Sequence, residues 1–406
     1  MKEKSSAVKE ALWTRGFILA CLANFLMSFA FYLLVTTLPL YLVKELSIDH
    51  SKVGIVLSSY TLAMLFARAF SGYLVDTISR KRLFMFSLIV FSILFGGYIR
   101  ATTVAAFMIL RFFHGAAWGV TTVSGNTIAI DIIPSSRRAE GIGFYGLNMN
   151  ISMAIAPWIG LLVYDNWGYL SLVLCCLFTG FAALVTVRSM DIKPREHKKE
   201  PVPKLSLDRF ILIKALPVGV NLILCAVAYG ALISYGALYG EEIKIGNPGI
   251  MFLFMAVGLG SSRIFSGRLV DKGNLHKVSV FAMLLLTASF VIFASANNIY
   301  AYCTASLMIG VGFGSIVPAF QTMFVNMGKH NQRGTANSTY LTSFDMGIGA
   351  GMLMGGYVSS FANLSAVYLA SAALCAIAAV YYLTITMPVY NNSRKNKRKE
   401  EIIQQI

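Results

Sequence analysis

Three ionisable side chains stand inside long apolar segments of this sequence, where a charge has chemical consequences. Asp345 is the only carboxylate deep within such a segment, and Arg111 and His114 lie one helical turn apart in another. A charged group in hydrocarbon costs about 2.5–3.5 kcal/mol on insertion scales, so these groups must face protein or water. An acid whose surroundings change can bind and release a proton, and we therefore predict Asp345 as the main proton-coupling residue.

Each of these residues also has a structural interpretation, and the residues alone leave both open. Asp345 could form a fixed ion pair or contact a substrate, and Arg111 could simply tie helices together. His114 could titrate near neutral pH or could be a hydrogen-bonded packing histidine.

The composition predicts a polytopic helical membrane protein. The chain has 406 residues, 57% of them hydrophobic and 13% charged, with a mean hydropathy of +0.68. Its apolar runs are long enough to cross hydrocarbon as helices, and they lack the period-two alternation of barrel strands. The net charge of +16 falls in particular loops rather than in one patch, which argues against nucleic-acid binding. The six cysteines lie in apolar segments without metal-ligand spacing, so we expect no metal and no cofactor.

An internal duplication organises the chain. The stretch from Arg68 to Asp76 recurs from Arg263 to Asp271, with seven of nine residues identical after a shift of 195 positions. The same shift carries Gly115 onto Gly310. Two related halves are therefore expected.

The apolar pattern predicts an all-α fold of twelve transmembrane helices in two pseudo-symmetric bundles of six. The predicted spans are 17–43, 53–75, 83–99, 103–130, 139–164, 168–188, 210–238, 249–270, 278–296, 299–326, 335–361 and 364–387. The corresponding domains are a cytoplasmic N-terminus at 1–16, a first bundle at 17–188, a cytoplasmic linker at 189–209, a second bundle at 210–387 and a basic cytoplasmic tail at 388–406. Lysines and arginines concentrate in the loops on the side of the termini, which predicts that both termini are cytoplasmic.

The loop between spans 2 and 3 connects the chain to a known family. It reads Gly72-Tyr-Leu-Val-Asp76-Thr-Ile-Ser-Arg80-Lys-Arg82, which resembles the Gly-x-Leu-x-Asp-(Arg/Lys)-x-Gly-Arg-(Arg/Lys) loop of the major facilitator superfamily. The two-half organisation of that superfamily is itself a parallel repeat. Thr77 and Ser79 depart from the pattern, and the second copy keeps Gly267 and Asp271 but lacks the basic pair.

This resemblance implies a role for the loop. In the superfamily the loop stabilises the outward-facing state, so we expect Gly72, Asp76 and Arg80 to form a conformational latch. Gly267 and Asp271 are expected to be a structural counterpart. Carboxylates at helix ends can accept from exposed backbone N–H groups and pair with basic side chains, and such contacts can break and reform.

Two further segments resemble superfamily signatures. Arg111-Phe-Phe-His-Gly115 is similar to a segment of proton-coupled members, and the stretch from Gly143 through Pro157 to Gly160 is similar in part to an antiporter signature rich in glycine. Ser152 and Ala156 replace glycines of that signature. Small residues at Gly115, Gly143 and Gly160, with Pro157, are expected to serve close helix packing and bending.

A cavity at mid-depth is expected from polar and aromatic residues within the spans. None of these is decisive singly, but together they predict an amphipathic cavity of moderate size. The candidates are Asn24, Tyr32, Tyr145, Asn148, Asn221, Tyr229, Gln321, Tyr340 and Phe344.

The resemblance implies a secondary transporter that works by alternating access. No phosphate-binding loop and no catalytic arrangement is recognisable, so we expect neither ATP-driven transport nor an enzyme. We predict proton-coupled efflux of a small amphiphilic compound by a monomer in a bacterial inner membrane. Uptake of a sugar, organic acid or similar nutrient is the alternative, and a membrane sensor that does not transport is a third possibility.

Overall fold

The computed structural model describes residues 11–134, 137–191, 212–328 and 333–403, and within these ranges the secondary structure is helical without strands. The predicted linker at 189–209 lies outside the described residues from residue 192 onward, and so do the first ten residues. The helices are α1 Arg15–Lys44, α2 His50–Thr77, α3 Arg80–Arg100, α4 Val104–Ile132, α5 Arg138–Arg188, α6 Leu216–Glu242, α7 Ile250–Leu269, α8 Leu275–Ala294, α9 Ile299–Met327, α10 Arg333–Phe361, α11 Leu364–Tyr381 and α12 Met387–Ile403.

Helix α5 contains two of the predicted spans. It is interrupted at Gly168, whose φ of +76° lies in the left-handed region that favours glycine, so 138–167 and 169–188 are separate helical segments. Together with α1–α4 they form a first half of six spans, and α6–α11 form the second half. The α12 helix follows α11 through a π-helical turn at Tyr382–Thr386 and continues into the tail.

Length and composition explain why these helices cross a membrane. Within the described residues, eight helical stretches are long and apolar enough to do so. The α2, α7 and α10 helices are not among them. The α2 and α10 helices each carry a charged residue within their length, Arg68 and Asp345. A charged residue is tolerated in each of these helices because α2 and α10 pack against each other, so that part of their surface faces protein and not lipid. The predicted fold class is confirmed.

Several helices begin at residues that the sequence supplies as caps. Asp49 precedes α2 and accepts from the backbone N–H of Ser51 at 3.0 Å. The Ser51 hydroxyl also bonds to this carboxylate and lowers the pKa of Asp49. Caps of this kind satisfy backbone donors that a helix start leaves unpaired. The other side-chain caps are Thr14 on α1, Thr103 on α4, Asn298 on α9 and Asn363 on α11.

The duplication is visible in helix packing. Gly115 of α4 lies against the backbone of Tyr60 on α2, and Gly310 of α9 lies in the same way against Met255 on α7. Each pair is related by the 195-residue shift. Because these glycines lack a Cβ, the two helix backbones can approach closely. Van der Waals packing of this kind holds transmembrane helices together in lipid, where no hydrophobic driving force acts between them.

We expect Gly115→Ala to destabilise the first half. Its Cβ would overlap the Tyr60 carbonyl, a backbone group that cannot move aside as a flexible side chain can, so overpacking should cost about 1–3 kcal/mol. The matched control is Gly96→Ala on α3, where an added Cβ meets nothing within 4 Å. Thermal unfolding in detergent should show a lower midpoint for Gly115→Ala only. Equal midpoints for both variants would mean that α2 and α4 can separate at little cost.

Candidate functional site

An ion pair joins the two halves near mid-depth. The guanidinium Nη1 of Arg68 on α2 contacts Oδ2 of Asp345 on α10. The Arg68 side chain is 19% exposed and the Asp345 side chain 13% exposed, so the pair is largely removed from water. Asp345 lies 12 residues into α10, which is about 18 Å along the helix axis from its start. The pair is therefore a contact between halves and not a contact at the membrane surface.

Aromatic side chains from both halves lie around this pair. The Tyr229 hydroxyl on α6 donates to the Met153 sulfur on α5 at 2.9 Å. The Tyr229 ring packs against Phe313 at 4.8 Å and Phe344 at 5.7 Å between ring centroids. Tyr32 on α1 is near enough to Arg68 and Tyr229 to interact with both electrostatically. The central site is defined by the following residues: Tyr32, Arg68, Met153, Tyr229, Phe344 and Asp345.

This arrangement has two chemical capacities. Asp345 can be ionised and paired, or it can be protonated and neutral, in which case its attraction to Arg68 is lost. The surrounding rings and thioether offer flat, polarisable surface to an amphiphilic molecule. One acid, one cation and an aromatic wall therefore occupy the place where the halves meet.

Arg111 and His114 form a second cluster, inside the first half. Arg111 is 1% exposed, and its guanidinium lies 5.2 Å from the centroid of the Tyr60 ring. Among the described residues, none of its three side-chain nitrogens has a hydrogen-bond partner. The Tyr98 hydroxyl lies beside the guanidinium and bonds to Nδ1 of His114 at 3.3 Å. A buried cation without a carboxylate partner is costly, so this feature calls for a functional explanation.

His114 itself is packed in an aromatic enclosure. The rings of Phe91 and Phe95 each lie 4.5 Å from it between centroids, and its exposure is 0%. Tyr60 connects the two clusters, because it contacts Arg111 and lies within electrostatic reach of Arg68. The sequence grouped Asp345, Arg111 and His114 as one set, whereas the structure separates them into the central site and this cluster.

Several predicted cavity residues use their polar groups to tie helices together. Asn24 on α1 donates to the Tyr145 carbonyl at 2.9 Å, and Asn221 on α6 donates to the Ala378 carbonyl at 2.9 Å. Asn148 donates to Phe144 of its own helix at 2.8 Å. Tyr340 is buried against Phe324, with 5.9 Å between ring centroids, and Gln321 is exposed.

The predicted packing residues of the first half are in place where they are described. Gly160 on α5 lies against α1, where an added Cβ would be 2.8 Å from the Leu33 carbonyl oxygen. Pro157 lies within the same helix. For Gly143 the structure describes the helical backbone of α5 alone.

Of the predicted latch, the structure describes Arg80. Its guanidinium pairs with Asp131, which joins the start of α3 to the end of α4 within the first half. Neighbouring Lys81 donates to the Arg188 carbonyl at 3.4 Å, so this corner also contacts the end of α5. For Gly72, Asp76, Gly267 and Asp271 the structure describes the helical backbone alone.

The halves also meet at the end of the bundle opposite the termini, which we call the far side. Lys44 at the end of α1 pairs with Glu241 at the end of α6. The Tyr235 hydroxyl on α6 donates to the carbonyl of His50 at the start of α2, at 3.4 Å. Gly54 of α2 and Gly356 of α10 allow close approach of their backbones, since a Cβ on Gly54 would lie 3.2 Å from the Gly356 Cα. These contacts close the far side.

We expect Glu241→Gln to favour opening of the far side. The Lys44 side chain is 46% exposed, so the pair is screened and worth about 0–1 kcal/mol, which corresponds to a shift of at most about fivefold in the open population. Double electron–electron resonance between spin labels on exposed far-side residues would measure this shift. The control is Glu242→Gln, at the neighbouring position. Unchanged distances in both variants would show that glycine packing alone closes this side.

Comparison with family models decides the classification. The model of the Major Facilitator Superfamily matches residues 20–328 and 249–405, which together span most of the chain. The chain belongs to the Major Facilitator Superfamily. It is thus a multi-pass membrane transporter, and the resemblance seen in the sequence is confirmed.

Individual superfamily members give further comparisons. The Multidrug resistance protein MdtG of Escherichia coli K12 is 26% identical over 389 residues, covering 91% of this chain and 94% of that protein. A bacterial homologue of the human lysosomal transporter Spinster, in an inward-facing and occupied conformation, superposes with a TM-score of 0.79 at 13% identity, over 93% of this chain and 97% of its own. The nucleoside transporter NupG gives a TM-score of 0.76 at 16% identity, over 90% and 98%. At these identities the two structures show the superfamily fold alone.

Arg68 is the functional candidate that sequence reasoning did not place. Its position near the cytoplasmic end of span 2 favours a role in the latch rather than in the cavity, but the structure pairs it with Asp345. One signal pointed to it: Asp345 corresponds to Asn150 in the repeat, so the acid has no counterpart in the first half. A single unmatched acid needs a cation, and the arginine of the duplicated stretch is available.

Proposed function

We propose that the chain is a proton-coupled exporter of small amphiphilic organic compounds that works by alternating access. The observation that carries this proposal is the Arg68–Asp345 pair, which places an ionisable acid directly on the contact between the two halves. A proton bound there changes the attraction between halves, and this is what coupling requires.

The coupling follows from electrostatics in a medium of low dielectric constant. Ionised Asp345 holds Arg68 and thus holds α10 against α2. Protonation removes the negative charge and leaves Arg68 to find water or an anionic group, so the halves can separate. When the halves separate, the site meets a different compartment and Asp345 can release its proton. The proton therefore moves only together with the change of state.

The central site supports an amphiphilic substrate. Tyr32, Tyr229 and Phe344 supply aromatic surface from three helices, and Met153 adds an adaptable thioether. Arg68 offers a cationic contact and ionised Asp345 an anionic one, so a zwitterionic compound can pair with both groups only while Asp345 is unprotonated. Compound and proton then exclude each other at this site, as antiport requires. Drug exporters of this type that handle cations often carry an acid in the first span, where this chain has Asn24, bonded to a backbone carbonyl.

Two observations favour export over uptake. MdtG, which resembles this chain over nearly its full length, is named as a multidrug resistance protein. The first segment of α5 also carries the partial antiporter signature, in which Gly160 packs against α1. We assign the side of the termini to the cytoplasm on the distribution of basic residues.

Gradient polarity in liposomes tests the proposal independently of how the protein is oriented. A proton antiporter accumulates compound when the vesicle interior is acidic, whereas a symporter does so when the exterior is acidic. With the inward proton gradient of a cell, antiport means export. We expect labelled zwitterionic amphiphiles to accumulate in acid-interior vesicles, above protein-free vesicles that control for trapping of weak bases.

Other outcomes would contradict the proposal in distinct ways. Accumulation only with an acidic exterior would establish uptake. Exchange that ignores both gradients would remove proton coupling. Binding without any flux would indicate a membrane sensor.

A further inference from the structure

A groove opens on the outer surface of the second half, away from the central site. Its volume is about 560 Å³, and it runs between α7, α8 and α9. Phe265 on α7 and Phe281 on α8 stand on its two sides and are 64% and 60% exposed. Because α8 packs against α9 and α11 of its own half, this surface faces the acyl chains of the bilayer. The volume falls within the range of about 300–1,000 Å³ that small-molecule sites occupy.

The interior of the groove suits an alkyl chain and not a polar solute. Serines line its floor, but each hydroxyl already donates to a backbone carbonyl. Ser262 donates to Leu259 at 3.1 Å, and Ser315 donates to Val311 at 2.8 Å. Ser261 likewise donates to Gly258 at 3.1 Å. Because these hydroxyls already donate within their own helices, the floor has few free donors for a polar ligand. An alkyl chain can still make van der Waals contact with it.

The mouth of the groove carries positive charge at headgroup level. Asn274 and Lys277 line the groove where α7 turns into α8, at the end of the bundle on the side of the termini. Gly273, with a φ of +85°, makes this turn possible. Lys277 is exposed and makes no ion pair among the described residues. An ammonium group at the membrane surface beside an apolar groove is complementary to a phosphate that is attached to an acyl chain.

We propose that this groove binds one anionic phospholipid. The phosphate lies at Lys277 and Asn274, and one acyl chain lies between Phe265 and Phe281 over the serine floor. This proposal does not rest on the proposed transport function. A lysine near an anionic membrane surface raises the affinity for an anionic lipid about fivefold. Lys277 should therefore account for the preference for an anionic headgroup, and the groove for binding of the acyl chain.

Native mass spectrometry of the purified full chain tests the proposal. Delipidated protein is titrated with phosphatidylglycerol or with phosphatidylcholine of the same acyl chains. We expect the first bound lipid to favour phosphatidylglycerol by about fivefold, and Lys277→Gln to abolish this preference. Lys214→Gln, an exposed lysine on the same side of the membrane but outside the groove, is the matched control and should keep it.

A second variant tests the groove itself. Ser261 is exposed, so Ser261→Trp can fill the groove without disturbing the core, and we expect it to remove the first tightly bound lipid of either kind. Ile93→Trp, on the exposed face of α3, is the control for an added indole. Equal binding of the two lipids by the wild type would overturn the proposal, and so would retention of the first lipid by Ser261→Trp.

Discussion

Asp345→Asn keeps substrate exchange and loses the response to a proton gradient. The substitution removes the titratable group but keeps its size, so the two halves can still alternate while Arg68 meets a neutral partner. We expect counterflow exchange to stay near the wild-type rate. Gradient-driven accumulation should fall by about 5- to 150-fold, the range of typical coupling free energies. Both quantities are measured in the same liposome preparation.

Asp191→Asn is the matched control for this experiment. Asp191 is an exposed carboxylate just after the end of α5 and outside the central site, and its substitution should leave both exchange and gradient response unchanged. An Asp345→Asn variant that still accumulates compound against a proton gradient would show that the Arg68–Asp345 pair is a fixed structural contact.

The partner residue gives a further check on the same pair. Arg68→Gln alone leaves a largely buried carboxylate without its cation, and breaking a buried pair in this way costs about 3–5 kcal/mol. The double variant Arg68→Gln/Asp345→Asn removes both charges, so its thermal stability should recover most of that loss. No recovery in the double variant would mean that the two side chains do not interact in the resting protein.

Arg111→Met raises stability and strongly reduces transport. Arg111 is a buried cation whose nitrogens have no hydrogen-bond partner among the described residues. An apolar side chain of similar length removes a burial cost of about 2.5–3.5 kcal/mol, so the midpoint of thermal unfolding should rise by several degrees. A buried charge that lowers stability by this much is best explained by a role in function. Gradient-driven transport by the Arg111→Met variant should therefore fall at least about tenfold.

The control for this prediction is Arg100→Met. Arg100 is exposed at the far-side end of α3, so its loss should change neither transport nor stability appreciably. The Arg111→Lys variant keeps the positive charge but loses the planar guanidinium. Comparing it with Arg111→Met therefore separates the effect of the charge from that of the side-chain shape. If Arg111→Met lowers the unfolding midpoint, Arg111 serves to tie helices together, which is the structural interpretation that the sequence left open.

The architecture follows from the sequence alone. Apolar runs of membrane-spanning length specify helices because backbone groups in hydrocarbon must bond within their own segment. The 195-residue repeat specifies two halves, and it even specifies packing, since Gly115 and Gly310 lie against equivalent residues Tyr60 and Met255. These features are encoded locally or in the periodicity of the chain, so they can be read without coordinates.

The polar chemistry depended on tertiary structure. Asp345 was recognisable as an unusual intramembrane acid, but its partner Arg68 is 277 residues away, on the other half, and no local pattern encodes that pairing. The sequence also could not show that the side-chain amides of Asn24 and Asn221 donate to backbone carbonyls. Nor could it show that the Tyr229 hydroxyl in the second half donates to the Met153 sulfur in the first. The packing of six helices within each bundle decides which face of each helix meets the other half. This packing therefore determines which charges are paired. It also determines which stay buried without a partner among the described residues, as Arg111 does.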